Sequence, residues 1–265
     1  MSSGARGVCL VLGAGGFRGL AHVGVLRGLE RLGVRIDALI GVSIGGLIAA
    51  FYAGLGHPSD ELLRRFARLS TVSLFSLGWS LYRARGADLP SRGPDDPRHP
   101  LRELHSLKLD HLSFGVQRMG LLALDLFTGE EIFTATGAPC CLSPDKVVLG
   151  GASIPGLFPW VRCGHEGRVY RLVDGGLSHA VPVERALAPP FEAPRIVAVD
   201  LQVRRGFRER DPHRWSRLEE EFPGRIVRIR PRVHRAGTVF FRARHVEDLV
   251  RGGEQAVVEQ AGALC

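Results

Sequence analysis

The chain has 265 residues, of which 45% are hydrophobic and 23% are charged, and its formal net charge is +8. This balance predicts a globular protein of one large domain or at most two small ones, and no apolar run is long enough to predict a transmembrane helix. The start shows no signal-peptide core, which favours the cytoplasm. Five cysteines without a disulfide spacing predict reduced thiols.

The first predicted strand, at residues 8–12, is followed by a glycine-rich loop at residues 13–19 and by a helix that ends near Gly33. Backbone N–H groups in such a loop, together with the start of the helix, form an anion-binding site. A dinucleotide-binding turn would need a third glycine where Arg18 stands. We therefore prefer an oxyanion hole that serves a serine after the next strand, because neighbouring parallel strands end at the same edge of a sheet.

A G-x-S-x-G element with Ser43 at its centre follows a predicted strand at residues 36–40 and precedes a predicted helix at residues 47–53. The flanking glycines allow a sharp strand-to-helix turn that leaves room for an acyl group at the hydroxyl. Without this context the motif indicates a structural turn. The strand before it and the helix after it favour a nucleophile.

One long segment of the chain has no clear periodicity. A helix is predicted from Ser59, and the regular pattern then fades over residues 70–100. Such a segment is typical of a cap that shapes an acyl pocket or touches a membrane, and equally of an ordinary helix-and-loop excursion.

Further regular elements lead to a candidate acid. Residues 119–133 predict two strands about a turn, and Ser143 followed by Pro144 predicts the start of a helix. A strand at residues 169–173 then ends at Asp174. A carboxylate in this position is typical of a functional acid, and also of a turn or a cap.

The last third of the chain predicts two strands and a closing helix. The strands are expected at residues 195–200 and 225–232, and the helix at residues 244–260. In the second strand, Arg228 and Arg230 are expected to be solvated while the alternate apolar side chains point inward. Because strands alternate with helices, we predict one three-layer α/β/α domain, with a largely parallel central sheet, that spans the whole chain.

Three motifs, in this order, resemble those of the patatin-like phospholipase family: residues 13–19, Gly41 to Gly45, and Asp174-Gly175-Gly176. Further similar segments stand at residues 20–26, 125–129, 152–156 and 176–183. The resemblance spans roughly residues 8–200 and is strongest to bacterial single-domain members close to the neuropathy-target-esterase branch. Ala14 departs from the family, whose loop often has glycine there, and this matters only if the position needs a positive φ.

The resemblance implies a Ser–Asp dyad in which Ser43 is the nucleophile and Asp174 is the base that takes its proton. It implies an oxyanion hole formed by the N–H groups of Gly15, Gly16, Phe17 and Ile44. The residues that support the motifs are Gly13, Arg18, Gly19, Gly41, Gly45, Gly175 and Gly176, and we expect a structural role for the arginine among them. No cofactor or metal is implied, and the ten histidines show no ligand spacing.

We therefore predict a serine acylhydrolase that acts on phospholipid, lysophospholipid or related acyl esters through an acyl-enzyme. One alternative is an α/β-hydrolase with a Ser–Asp–His triad, for which His213, His234 and His245 are available. Another is a non-catalytic regulator that binds acyl lipid. The basic charge favours peripheral contact with an anionic inner-membrane surface, and no nucleic-acid partner is expected because no motif for one is present.

Overall fold

A central sheet of eight strands organises the chain, and flanking helices cover both of its faces. The computed structural model describes residues 7–68, 101–201, 211, 213–233 and 245–264. The predicted α/β class with a largely parallel central sheet is confirmed. The candidate cap at residues 70–100 and the candidate His234 lie outside the described residues.

The sheet has one parallel part and one antiparallel part. In chain order they are β1 (Val8–Leu12), β2 (Ile36–Val42), β3 (Arg118–Asp125), β4 (Glu131–Ala135), β5 (Val161–His165), β6 (Arg168–Asp174), β7 (Ile196–Val199) and β8 (Ile226–Ile229). Their order across the sheet is β5-β6-β3-β2-β1-β7-β8, and β4 pairs with β3. From β3 to β8 the neighbours are parallel, whereas β4 and β6 run antiparallel to β3, and β5 runs antiparallel to β6.

Helices connect most of the parallel strands. They are α1 (Leu20–Arg31), α2 (Ile44–Ala49), α3 (Ser59–Arg68), α4 (Pro144–Gly151), α5 (Val183–Leu187), α6 (Arg214–Glu221), α7 (Val246–Glu259) and α8 (Ala261–Leu264). A π-helical turn, Ala50–Gly54, extends α2. Among the described residues, none of these helices has both the length and the apolar character that crossing a bilayer requires.

The first strand shows how the layers form. Leu10 and Leu12 of β1 pack into a core with residues of α1, α2, α3, α4 and α7, while Cys9 and Val11 pack into a second core with α5 and α6. Successive side chains of a strand point to opposite faces of the sheet. A strand covered on both faces is therefore apolar at every position, as the run Val8–Leu12 is.

Several predicted boundaries shift in the structure. The helix after the serine begins at Ile44, three residues earlier than predicted, because Ser43 itself occupies the N-cap position. The second of the two strands predicted within residues 119–133 begins only at Glu131, because the side chain of Asp125 stabilises the turn before it by accepting hydrogen bonds from residues 127 and 128. Strand β5 was not predicted, and the four cysteines within the described residues are unpaired thiols.

The prediction that Arg228 is solvated is wrong. Its side chain is only 16% exposed and pairs with the carboxylate of Asp200 at 2.5 Å. The guanidinium also lies 3.9 Å from the centroid of the Trp215 ring, which α6 brings over the sheet. A charged group can be buried in this way because the carboxylate accepts hydrogen bonds from Nε and Nη2 and the indole face attracts the cation.

Helices α1 and α7 approach each other closely. A Cβ atom added to Gly24 of α1 would overlap the backbone of Val250 in α7, and one added to Gly253 would overlap the carbonyl of Ala21. Both positions therefore require glycine, because only a residue without Cβ lets two helix backbones come this near.

Candidate active site

Ser43 lies at a strained turn between β2 and α2. Its backbone angles are φ 57° and ψ −131°, a combination that residues other than glycine rarely adopt. The flanking glycines make the turn possible: a Cβ on Gly41 would stand 2.5 Å from the carbonyl oxygen of Gly45. A Cβ on Gly45 would in turn overlap the carbonyl of Leu12 at the end of β1. The G-x-S-x-G spacing thus reflects steric contacts on both sides of the serine.

Asp174 lies at the end of β6 and contacts the serine directly. Ser43 Oγ donates a hydrogen bond to Asp174 Oδ2 at 2.6 Å. The other carboxylate oxygen, Oδ1, accepts a hydrogen bond from the N–H of Gly176 at 2.8 Å. The backbone N–H of Asp174 donates to the carbonyl of Ser153 at 3.0 Å, which fixes the end of the strand. Gly175 is held close to β3, since a Cβ there would stand 2.7 Å from the carbonyl oxygen of Leu122.

The two side chains are shielded from water. Asp174 is completely buried, and Ser43 is only 4% exposed. Burial raises the pKa of Asp174 to about 7, although the hydrogen bonds from Ser43 and Gly176 act in the opposite direction. At neutral pH the charged and the neutral forms of this carboxyl are therefore both populated.

The glycine-rich loop meets the serine turn at the same edge of the sheet. Strands β1 and β2 are parallel neighbours, so that Leu12 pairs with Gly41. The loop is fixed by the N–H of Gly13, which donates to the carbonyl of residue 199 at 3.2 Å. It touches the first turn of α2, because a Cβ on Gly19 would overlap the side chain of Ile44.

Alanine at position 14, where the family loop often has glycine, is compatible with the conformation of this loop. Ala14 has no positive φ, whereas Gly16 has φ 54°. The N–H of Ala14 donates to the carbonyl of Ala180 at 2.7 Å, and its methyl group is buried. Gly16, whose positive φ requires glycine, is therefore retained, and the alanine that departs from the family pattern stands at a position where a Cβ fits.

The N–H groups predicted for the oxyanion hole lie at the starts of helical turns. Gly16 is the first residue of a 3-10 turn that also contains Phe17, Arg18 and Gly19, and Ile44 is the first residue of α2. Such N–H groups have no carbonyl one turn earlier to bind. Within the described ranges, the N–H groups of Gly15, Gly16 and Ile44 donate to no other backbone group.

His22 is part of this region, and the sequence did not single it out. It lies in the first turn of α1, is completely buried, and its Nε2 donates to the carbonyl oxygen of Gly13 at 2.8 Å. Burial lowers the pKa of His22 to about 4, although the hydrogen bond to Gly13 acts in the opposite direction. The neutral imidazole therefore holds the first residue of the glycine-rich loop. The signal available in the sequence was a polar residue among the apolar residues that begin the helix just after the loop.

The histidines considered for a triad lie on other elements. His213 immediately precedes α6, and His245 immediately precedes α7. The hydroxyl of Ser43 bonds the carboxylate of Asp174 without an imidazole between them. A triad requires the histidine to stand between the serine and the acid. Among the described residues, no group of three or more His, Cys, Asp or Glu side chains could hold a metal ion.

The sequence model of the patatin-like phospholipase family matches residues 10–187, which include the loop, the serine turn and the aspartate. The chain belongs to the patatin-like phospholipase family. An NTE family protein of Mycobacterium bovis is 32% identical over 206 residues, which are 74% of this chain and 30% of that protein. The lysophospholipase NTE1 of Pyricularia oryzae is 44% identical over 75 residues, or 27% of this chain and 5% of that protein. These relatives confirm the predicted neighbourhood of the NTE branch.

The chain spans less than a third of the length of these relatives. Among solved structures, VipD from Legionella pneumophila is similar in fold, with a TM-score of 0.51 at 13% sequence identity. That similarity covers 97% of this chain and 66% of VipD. At this level of identity the likeness concerns the fold alone.

Proposed function

We propose that this protein is a serine acylhydrolase that works through a Ser43–Asp174 dyad. The observation that carries the proposal is the direct 2.6 Å hydrogen bond from the serine hydroxyl to a buried carboxylate. A serine hydroxyl is a weak nucleophile at its ordinary pKa and needs a neighbouring base. The backbone strain at Ser43 supports the same role, because strained residues often stand at functional sites.

In the first half of the reaction, Ser43 Oγ attacks the acyl carbonyl carbon and its proton passes to Asp174 Oδ2. The tetrahedral intermediate then collapses, and the protonated carboxyl returns its proton to the leaving alcohol. In the second half, a water molecule attacks the acyl-enzyme while Asp174 again takes a proton. The product acid leaves, and the serine hydroxyl is restored.

The developing negative charge on the carbonyl oxygen needs donors that are already in place. We assign this role to the N–H groups of Gly15, Gly16 and Phe17, together with that of Ile44. The first three belong to the glycine-rich loop and the fourth to the start of α2, two segments that meet where the side chain of Ile44 packs near Gly19. Loss of one such donor costs about a hundredfold in rate.

The substrate class is proposed from the relatives. Several of them carry the name lysophospholipase, and the family is that of patatin-like phospholipases. We therefore propose phospholipids, lysophospholipids or related acyl esters as substrates of this chain. We also propose that the chain forms one hydrolase domain.

The test is hydrolysis of a short-chain p-nitrophenyl ester and of lysophosphatidylcholine by the wild type and by variants. Ser43→Ala and Asp174→Asn should each lower kcat by roughly a thousandfold or more. Two matched controls, Ser106→Ala and Asp60→Asn, change the same residue types on the exposed surface and should retain activity. A fluorophosphonate should label the wild type but not Ser43→Ala.

The same experiment separates the alternatives. If His245→Ala or His213→Ala abolishes turnover in a folded protein, a triad explains the activity better than a dyad. If the wild type hydrolyses neither substrate and the fluorophosphonate does not label Ser43, a non-catalytic lipid-binding role replaces the proposal.

A further inference from the structure

One end of the sheet carries an exposed patch of apolar and basic side chains, which we call the ribbon patch. It consists of Leu126, Phe127, Arg162 and Val169, which are exposed, and of Arg171, which is half-buried. Leu126 and Phe127 follow the end of β3, and the other three residues lie on the antiparallel pair β5–β6. Large apolar side chains are seldom exposed in groups unless they meet a partner.

The patch occupies one face of the β5–β6 pair. Arg162 stands directly opposite Arg171, and Val169 stands opposite Gly164. Because side chains alternate along a strand, these residues share the face opposite to Tyr170, which is buried against the core. The outer face of the pair therefore presents two arginines and one valine side by side.

Phe127 extends the patch over the end of β3. Its side chain is 66% exposed, and the guanidinium carbon of Arg171 lies 4.4 Å from the centroid of its ring. The ring of Trp160 meets the ring of Phe127 edge to face, with 6.4 Å between the centroids. The N–H of Leu126 donates to the carbonyl of Arg171 at 2.9 Å, which ties this segment to β6.

The charge of the patch is not balanced within the described part of the chain. Neither Arg162 nor Arg171 forms an ion pair with a carboxylate there, whereas the neighbouring Arg168 pairs with Glu130 at 2.5 Å. Like charges directly opposite each other on a strand pair are destabilising. An anion bound between the two guanidinium groups would remove that repulsion, and guanidinium groups bind phosphate well.

The position of the patch along the strand direction can be compared with that of the serine. Val42 of β2 pairs with Leu122 of β3, so Ser43 is level with Ala123. Leu126 comes three residues further along, or about 10 Å beyond that level at the usual rise of a strand. Leu126 and Phe127 therefore lie beyond the same edge of the sheet at which the serine stands.

We propose that the ribbon patch docks the protein on an anionic phospholipid bilayer. This inference rests on the proposed function, since it names the surface from which an acyl lipid is taken. The aromatic and aliphatic side chains enter the interface of the bilayer, and the two arginines bind the phosphates of anionic head groups. The net charge of +8 attracts the whole protein to the same surface.

The test is sedimentation with vesicles of phosphatidylcholine alone and of phosphatidylcholine with phosphatidylglycerol. The wild type should bind the anionic vesicles more tightly, and less so at high salt. The double variant Arg162→Gln/Arg171→Gln should lose about tenfold or more in affinity for them. Phe127→Ser should weaken binding to both vesicle types.

Matched controls remove the same charges and the same kind of side chain elsewhere. Arg31→Gln/Arg251→Gln deletes two exposed arginines of α1 and α7, and Val258→Ser changes an α7 side chain that is 64% exposed. If these controls weaken vesicle binding as much as the patch variants do, the patch proposal is overturned. It is overturned equally if the wild type binds an acidic protein but no vesicle.

Hydrolysis of the short p-nitrophenyl ester separates this proposal from the proposed function. The patch variants should hydrolyse this monomeric ester at the wild-type rate, because the side-chain hydrogen bonds described for Ser43 and Asp174 involve none of the five residues. Normal ester hydrolysis without any vesicle binding by the wild type overturns the docking surface alone. Vesicle binding without hydrolysis of either the ester or lysophosphatidylcholine, and without labelling of Ser43, overturns the proposed function and leaves the docking surface supported.

Discussion

Ser43 and Asp174 lie 131 positions apart in the chain, yet a single hydrogen bond of 2.6 Å joins their side chains. The serine directly follows β2 and the aspartate ends β6, and β3 lies between these strands in the sheet. Apart from the serine hydroxyl, the carboxylate accepts a hydrogen bond only from the N–H of Gly176 within the described ranges. Because this acid is buried and no cationic group among the described residues offsets that burial, its ionisation should affect both the rate of hydrolysis and the stability of the fold.

The rate of ester hydrolysis should depend on pH through Asp174. Burial raises the pKa of this acid to about 7, and only its charged form can take the serine proton. We expect kcat/KM to be constant above that pH and to fall about tenfold for each pH unit below it. The profile is measured with the p-nitrophenyl ester from pH 5 to pH 9. An acid limb near the ordinary aspartate pKa would contradict this assignment.

Asp174→Asn should stabilise the folded protein. The pKa of this carboxyl is raised in the folded state from 3.8 to about 7, so ionisation disfavours folding as the pH rises through this interval. An amide does not ionise and avoids this cost. We expect the free energy of unfolding of the variant to exceed that of the wild type by about 1–3 kcal/mol above pH 7, and by little near pH 4.

Urea unfolding at pH 4, 5.5 and 8 measures this difference. The surface variant Asp60→Asn is the matched control, because its carboxyl is exposed and should show no such gain. A gain for Asp174→Asn that is equal at all three pH values would show that repacking, and not ionisation, is responsible.

His22 is expected to position the glycine-rich loop through its hydrogen bond to the carbonyl of Gly13. His22→Gln and His22→Leu both fill the buried space, but only glutamine can donate to that carbonyl. We expect the leucine variant to lose about tenfold to a hundredfold in kcat with little change in KM, and the glutamine variant to lose less. Steady-state kinetics on the short ester measures both constants. Equal losses in the two variants would mean that the hydrogen bond does not position the loop.

Gly24→Ala should destabilise the protein by about 1–3 kcal/mol, because the new methyl group would overlap the backbone of α7. A backbone cannot yield as a flexible side chain can. Gly262→Ala is the matched control: it lies in α8 and its Cβ would meet nothing within 4 Å, so its stability should equal or slightly exceed that of the wild type. Thermal unfolding of both variants tests the contact, which would be unimportant if the two behaved alike.

The sequence predicted the catalytic candidates because the residues directly adjacent to each of them in the chain are enough to mark it. Ser43 stands between a strand and a helix with glycines on both sides, and Asp174 ends an apolar strand before two glycines. What the sequence could not give is their distance. That depends on β6 joining the sheet antiparallel to β3, which no residue of β6 encodes alone.

The wrong prediction for Arg228 and the oversight of His22 also arise from contacts between distant elements. The alternation of residues in β8 correctly predicted a strand, but it also predicted that Arg228 is exposed to solvent. In the structure, Trp215 of α6 and Asp200 cover that side chain. His22 was passed over because periodicity marks apolar residues, and the carbonyl that makes its burial tolerable belongs to Gly13 of the loop. In both cases the deciding partner comes from another element of the fold.

The close contact between α1 and α7 bears on how the protein can be shortened. The match to the family ends at residue 187, whereas α7 begins only at Val246. A fragment cut to the matched segment would leave the glycine face of α1 open to water, and α1 also carries His22, the residue that holds the glycine-rich loop. The boundaries of sequence similarity are therefore a poor guide to a minimal active fragment, which must retain the helix at residues 246–259.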